Sequence, residues 1–227
     1  MKYPFKITSV LLLTALLTAC GGDKKPAAGS DTTSTSTTSK GAEKKIVLFF
    51  GDSLTAGYGL EDASQAFPGV VQAKIDSAKL PYTVVNGGQS GETSAGGLSR
   101  IDWLLKQQPL DVFVLELGAN DGLRGLPVDA TTQNLQAIID KVKAKYPKAK
   151  LVITGMQVPP NMGADYANNF KNIFPTLATK NAMVLVPFLL QDVAGIRKLN
   201  QGDGIHPTAE GAKIVGANVW AELKDIL

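Results

Sequence analysis

Two clusters in this 227-residue chain pair a nucleophile with the groups that could activate it. Gly51-Asp52-Ser53-Leu54 places a serine hydroxyl directly after an apolar run, and Asp203-Gly204-Ile205-His206-Pro207 holds the only histidine. A serine hydroxyl is a weak nucleophile until a neighbouring base takes its proton. Imidazole can be that base near neutral pH, and a carboxylate bonded to Nδ1–H fixes the tautomer that leaves Nε2 free. Asp203 stands three residues before His206, with Gly204 permitting the tight turn between them. Each cluster also has an ordinary reading. Gly, Asp and Ser are common turn and capping residues, and a lone histidine is more often structural than catalytic.

Two further clusters offer groups that could hold developing negative charge. In Gly118-Ala119-Asn120-Asp121 the Asn120 amide is either an oxyanion donor or part of an Asx turn, and Asp121 is expected to cap the following turn. Asn86-Gly87-Gly88-Gln89-Ser90-Gly91-Glu92-Thr93 is glycine-rich and leads into a helical pattern. It reads equally as a close backbone approach to a ligand or as a loop with a helix cap. One histidine and one cysteine leave too few soft ligands for a catalytic zinc site, and neither Gly-rich phosphate-loop pattern is present. No metal and no cofactor is expected.

The elements that must position these groups alternate. Apolar runs at residues 45–50, 82–85, 112–117, 151–154 and 183–186 read as strands covered on both faces. Helical spacing links Val70, Val71, Lys74 and Ile75 after Pro68, then Leu98, Ile101, Leu104 and Leu105. It recurs in Leu135, Ile138, Ile139 and Val142, and at the end in Ile214, Val215, Asn218, Val219 and Leu223. Five strands alternating with helical stretches predict an α/β fold, a parallel sheet sandwiched between helices in three layers. Reactive groups in such sheets collect at the carboxyl ends of the strands, where Ser53, Gly91 and Asn120 all fall.

Taken in order, the four clusters resemble the blocks of the GDSL or SGNH hydrolases, over essentially all of residues 45–227. The resemblance implies a flavodoxin-like five-stranded sheet. It also implies Ser53 as nucleophile, Asp203 and His206 completing the triad, and the N–H groups of Ser53 and Gly91 with the Asn120 side chain as oxyanion donors. Residues 116–125 and 156–161 are similar to the arylesterase and multifunctional thioesterase–lysophospholipase branch. The resemblance thus implies hydrolysis of short- to medium-chain acyl esters through an acyl-enzyme. A carbohydrate acetylesterase, and a non-catalytic lipid- or glycan-binding lipoprotein, are the alternatives. Leu123, Leu126, Val158, Pro159 and Met162 read either as the lining of an acyl groove or as plain loop packing.

The N-terminus predicts where such an enzyme works. Lys2 and Lys6 precede an apolar stretch from Val10 to Leu17 that is too short to span a bilayer, the layout of a secretory signal peptide over residues 1–19. Leu17-Thr18-Ala19-Cys20 resembles a bacterial lipobox, which implies acylation of Cys20 and a membrane anchor. Gly21 follows, without the aspartate of an inner-membrane retention signal, so the expectation is an outer-membrane lipoprotein facing the periplasm. Residues 20–43, with a Thr/Ser run at 32–39, read as a flexible linker, and residues 44–227 as one hydrolase domain. Net charge is +3, falling to +1 without Lys2 and Lys6, which gives no footprint for nucleic acid. The expected partners are a small acyl ester or lipid substrate and the membrane, with the protein a monomer.

Overall fold

The computed structural model describes residues 44–227 apart from Gln108, so the expected signal peptide, Cys20 and linker lie outside the described residues. The apolar runs form β1 (Lys45–Gly51), β2 (Tyr82–Asn86), β3 (Val112–Glu116), β4 (Lys150–Thr154) and β5 (Val184–Val186). All pair in parallel, in the order β2-β1-β3-β4-β5. Val47, Leu48, Phe49 and Phe50 are completely buried, as strands flanked by helices on both faces require. The α/β sandwich expected from periodicity is therefore the observed fold.

The described residues form five long helices and two short ones. The long ones are α2 (Phe67–Ser77), α3 (Ser94–Leu104), α5 (Val128–Lys145), α6 (Ala164–Asn181) and α7 (Ala209–Leu223). They associate in two groups, α2 with α7, and α3 with α5, which also packs on α6. Of the periodic residues named for four of them, Val71, Ile75, Ile101, Leu104, Leu105, Leu135, Ile138, Ile139, Val142, Val215, Val219 and Leu223 are buried, while Val70, Lys74, Leu98, Ile214 and Asn218 are half-buried. Only α6 lacked a visible pattern. It carries Pro175 in its interior, yet Phe170, Ile173, Phe174 and Leu177 still form a continuous buried stripe. The short helices α1 (Ser53–Ala56) and α4 (Ala119–Leu123) follow β1 and β3 directly.

The strand order reverses between β1 and β3, because β2 lies outside β1 while β3 continues on the other side. Open α/β sheets place ligands in the crevice at such a switch point. Here Gly51 and Glu116 are register partners at that edge, so α1 and α4 leave the sheet side by side.

Candidate active site

Ser53 is the first residue of α1, where the N-terminal N–H groups lack partners within the helix. Asp52 caps this helix, its Oδ1 accepting from Leu54 N–H at 3.0 Å, and Gly57 ends it in the left-handed region at φ 79°. The hydroxyl of Ser53 meets His206 Nε2 at 2.8 Å. His206 Nδ1 in turn meets Asp203 Oδ2 at 2.6 Å. The imidazole thus spans a serine hydroxyl and a carboxylate, 153 residues from the serine it contacts.

Local bonds make the Asp203 turn rigid. Asp203 Oδ1 accepts from the N–H groups of Ile205 and His206 at 2.9 and 3.0 Å, while Gly204 sits at φ 73°. Hydrogen bonding from the His206 ring, then from these two N–H groups, lowers the Asp203 carboxyl from 3.8 to about 2. It therefore stays ionised at any pH where His206 can act as a base. Tyr58 lies against the imidazole, ring centroids 4.7 Å apart. Gln201 links the carbonyls of Tyr58 and Pro207, at 2.7 and 3.0 Å, so both flanks of His206 are tied together.

The Asn120 amide sits between the other two expected oxyanion donors. Its Nδ2 donates to Asp52 Oδ2, next to Ser53, and to the Glu92 carbonyl, next to Gly91, both at 3.1 Å. The Asx-turn reading is thereby replaced by a long-range one. Gly91 takes φ 78°, and its carbonyl accepts from Arg124 Nη2 at 3.2 Å. Gly88 packs backbone to backbone on α1, and Asn86 Nδ2 donates to the Thr55 carbonyl at 2.8 Å. The glycine loop is thus seated against α1, the helix that begins at Ser53.

A family model described as the GDSL-like lipase/acylhydrolase family matches residues 49–214. The chain belongs to this family. It is a carboxylic ester hydrolase by that membership and by its similarity to proteins named as esterases. The esterase TesA of Pseudomonas aeruginosa is 39% identical over 186 residues, covering 82% of this chain and 91% of the relative. A thioesterase 1/protease 1/lysophospholipase L1 of Escherichia coli is 37% identical over 181 residues, covering 80% and 84%. Among solved structures, the psychrotrophic esterase EstA of a Pseudoalteromonas species, inhibited by monoethylphosphonate, superposes with a TM-score of 0.75. It is 33% identical, over 81% of this chain and 98% of that one.

Several residues that hold this GDSL hydrolase site together were not singled out from sequence. Glu92 is buried and receives Arg100 Nε at 2.8 Å and Nη2 at 2.5 Å, while Nη2 also reaches the Gly87 carbonyl at 2.9 Å. The guanidinium lies over Phe50, 4.5 Å from the ring centroid. This clamp fixes both ends of the loop that carries Gly91. Asp121, expected to cap a local turn, instead accepts from Ser94 N–H at 2.8 Å and from Thr131 Oγ1 at 3.2 Å, joining the starts of α3 and α5. Asp52 and Glu116 are completely buried. Burial raises the Asp52 carboxyl to about 6 against the pull of the Leu54 N–H, and burial followed by the Asp52 charge raises Glu116 well above the usual carboxylate range.

Apolar side chains beyond the carboxyl ends of the strands fall into two sets. Leu123 ends α4 and Val158 lies on the loop packed against it, since a Cβ at Gly122 would touch Val158 Cγ1, and Met162 lies beside Gly125 in the same way. Leu123 is exposed, as is Pro159, and Val158 is half-buried. On the His206 side, Leu54, Tyr58, Leu60, Phe67 and Leu190 line a narrow cleft reaching Ser53. No sequence pattern had placed Leu60 or Leu190 there.

Proposed function

We propose that this esterase works through an acyl-enzyme on Ser53. The observation that carries the reading is the unbroken contact from Ser53 Oγ through His206 to Asp203, at 2.8 and 2.6 Å. Ser53 Oγ attacks the ester carbonyl carbon as His206 Nε2 takes its proton, and Asp203 stabilises the imidazolium that results. The N–H groups of Ser53 and Gly91 receive the oxyanion together with the Asn120 amide, which exchanges its bond to the Glu92 carbonyl for one to the oxyanion while keeping Asp52. His206 then returns the proton to the departing alcohol or thiol, and water, activated by the same imidazole, releases the acid and frees Ser53. EstA, inhibited by monoethylphosphonate, supports this reading as a related esterase.

The substrates proposed are short- to medium-chain acyl esters, with thioesters and lysophospholipids also in range. Support comes from relatives named arylesterase and thioesterase/lysophospholipase, and from apolar Leu123 at the end of α4 with Val158 and Pro159 on the loop beside it. A fluorophosphonate probe should label Ser53, and Ser53→Ala should lose both labelling and turnover of p-nitrophenyl esters while remaining folded. Turnover at the wild-type rate in that variant would end the proposal.

The same reading makes the protein an exported lipoprotein, acylated on Cys20 and facing the periplasm as a monomer. Its support is the Leu17–Cys20 segment and the short apolar stretch before it. Labelled palmitate should enter the wild-type protein in cells and not Cys20→Ala. Equal incorporation in both would remove the anchor.

A further inference from the structure

Beneath the nucleophile lie two buried carboxyl groups that acyl transfer itself does not use. Asp52 N–H donates to Glu116 Oε2 at 3.2 Å, and Thr55 Oγ1 donates to the same oxygen at 2.7 Å. The other oxygen, Glu116 Oε1, is buried and meets no donor. An ionised Glu116 would therefore keep a charged oxygen uncompensated inside the protein, among the costliest arrangements a core can hold. Asp52 is placed differently. Its Oδ1 accepts from Leu54 N–H and its Oδ2 from Asn120 Nδ2, so both oxygens serve as acceptors. The two carboxyl groups adjoin, since Glu116 Oε2 accepts from the backbone N–H of Asp52 itself and Gly51 is the register partner of Glu116.

Two carboxylates can bond to one another only if one carries a proton. We propose that Glu116 is an un-ionised carboxylic acid whose O–H donates to the Asp52 carboxylate, and that the pair positions the Asn120 amide in the oxyanion hole. This inference rests on Asn120 being an oxyanion donor.

The arrangement has two consequences for catalysis. An ionised Asp52 can only accept, so it selects the Asn120 rotamer that turns Nδ2 toward Asp52 and the Glu92 carbonyl, and rejects the flipped one. A single negative charge on the pair, in place of two, also limits repulsion of the oxyanion at low local dielectric. The titratable group facing Asp52 from another element, besides Glu116, is His206 with Asp203 behind it, and the positive charge an imidazolium carries favours the ionised form of Asp52. Burial and the Asp52 charge act on Glu116 in the opposite sense and hold its proton in place.

Glu116→Gln preserves this pattern, because an amide oxygen can accept from Thr55 while the amide N–H donates to Asp52. Glu116→Met keeps the bulk and removes both functions. The infrared difference between wild type and Glu116→Gln at neutral pH should contain the carbonyl stretch of an un-ionised carboxylic acid, and its absence would overturn the proposal. Glu116→Gln should keep kcat within about threefold of wild type, while Glu116→Met loses about tenfold or more in kcat with little change in KM. Equal losses in the two variants, or wild-type kcat in Glu116→Met, would overturn the positioning role. Asn120→Ala at wild-type kcat would remove the oxyanion reading and the positioning role with it, an outcome the infrared band distinguishes from failure of the shared proton.

Discussion

A methyl group added at Gly88 tests whether the glycine loop sets the position of the nucleophile. The Cβ of Gly88→Ala would stand 2.3 Å from Ala56 N and 2.8 Å from both Ala56 Cα and Thr55 C, all backbone atoms of the helix that begins at Ser53. Ordinary contact for a Cβ begins at 3.4 Å, so loop and helix must part by about 1 Å to restore normal van der Waals separation. Overpacking of this kind costs about 1–3 kcal/mol of stability. A misplacement of about 1 Å between reacting groups costs on the order of 100-fold in rate. Gly91→Ala is the control, because its Cβ would meet nothing within 4 Å. The strain at φ 78° there costs only about 1–2 kcal/mol, and the N–H is retained. Steady-state hydrolysis of a p-nitrophenyl acyl ester, with thermal unfolding as the check on folding, should show kcat/KM down about 100-fold in Gly88→Ala. Gly91→Ala should lose no more than a few-fold. Wild-type kinetics in Gly88→Ala, or equal losses in both variants, would refute the reasoning.

Thr154 ends β4 with its hydroxyl buried and without a partner, so Thr154→Val should stabilise the protein by about 1–2 kcal/mol in urea unfolding. A loss of stability would show that the hydroxyl is in fact bonded. Stability should also depend on pH through two aspartates of opposite sign. The Asp203 carboxyl, lowered to about 2, stabilises the fold above its unfolded value near 3.8, and that contribution disappears as pH falls toward 2. Asp52, raised to about 6, contributes fully below 3.8 and loses its contribution as pH rises through 6. The displacement at Asp52 corresponds to at most about 3 kcal/mol. Urea midpoints measured from pH 4 to pH 7 should therefore fall more steeply in wild type than in Asp52→Asn, and parallel slopes would contradict the assignment.

The fold was legible where pattern is local. Residues 46–50 are an apolar run too short for a helix of typical length and closed by Gly51, and they fill the centre of the sheet. In α6 the signal failed, since Pro175 and the pair Asn168-Asn169 are poor helix formers, and the buried stripe from Phe170 to Leu177 overrode them through packing. The reacting groups were legible for another reason, scarcity. With one histidine in the chain, a serine and an aspartate at suggestive turns had a single possible base, whatever the separation along the sequence. The groups that hold them had no such advantage. Arg100 is eight residues from Glu92, a spacing no helix or strand rule singles out, and Asp52 meets Glu116 only because β1 and β3 run in register to Gly51 and Glu116. One cue was present all the same: Glu116 is the sole charge in the otherwise apolar stretch from Val112 to Leu117. A carboxylate in a strand expected to be covered on both faces has to be neutralised or paired, so the need for a buried partner was implied by the strand reading itself. What sequence could not supply was the identity of the partner, because that depends on which strands become neighbours and in what register.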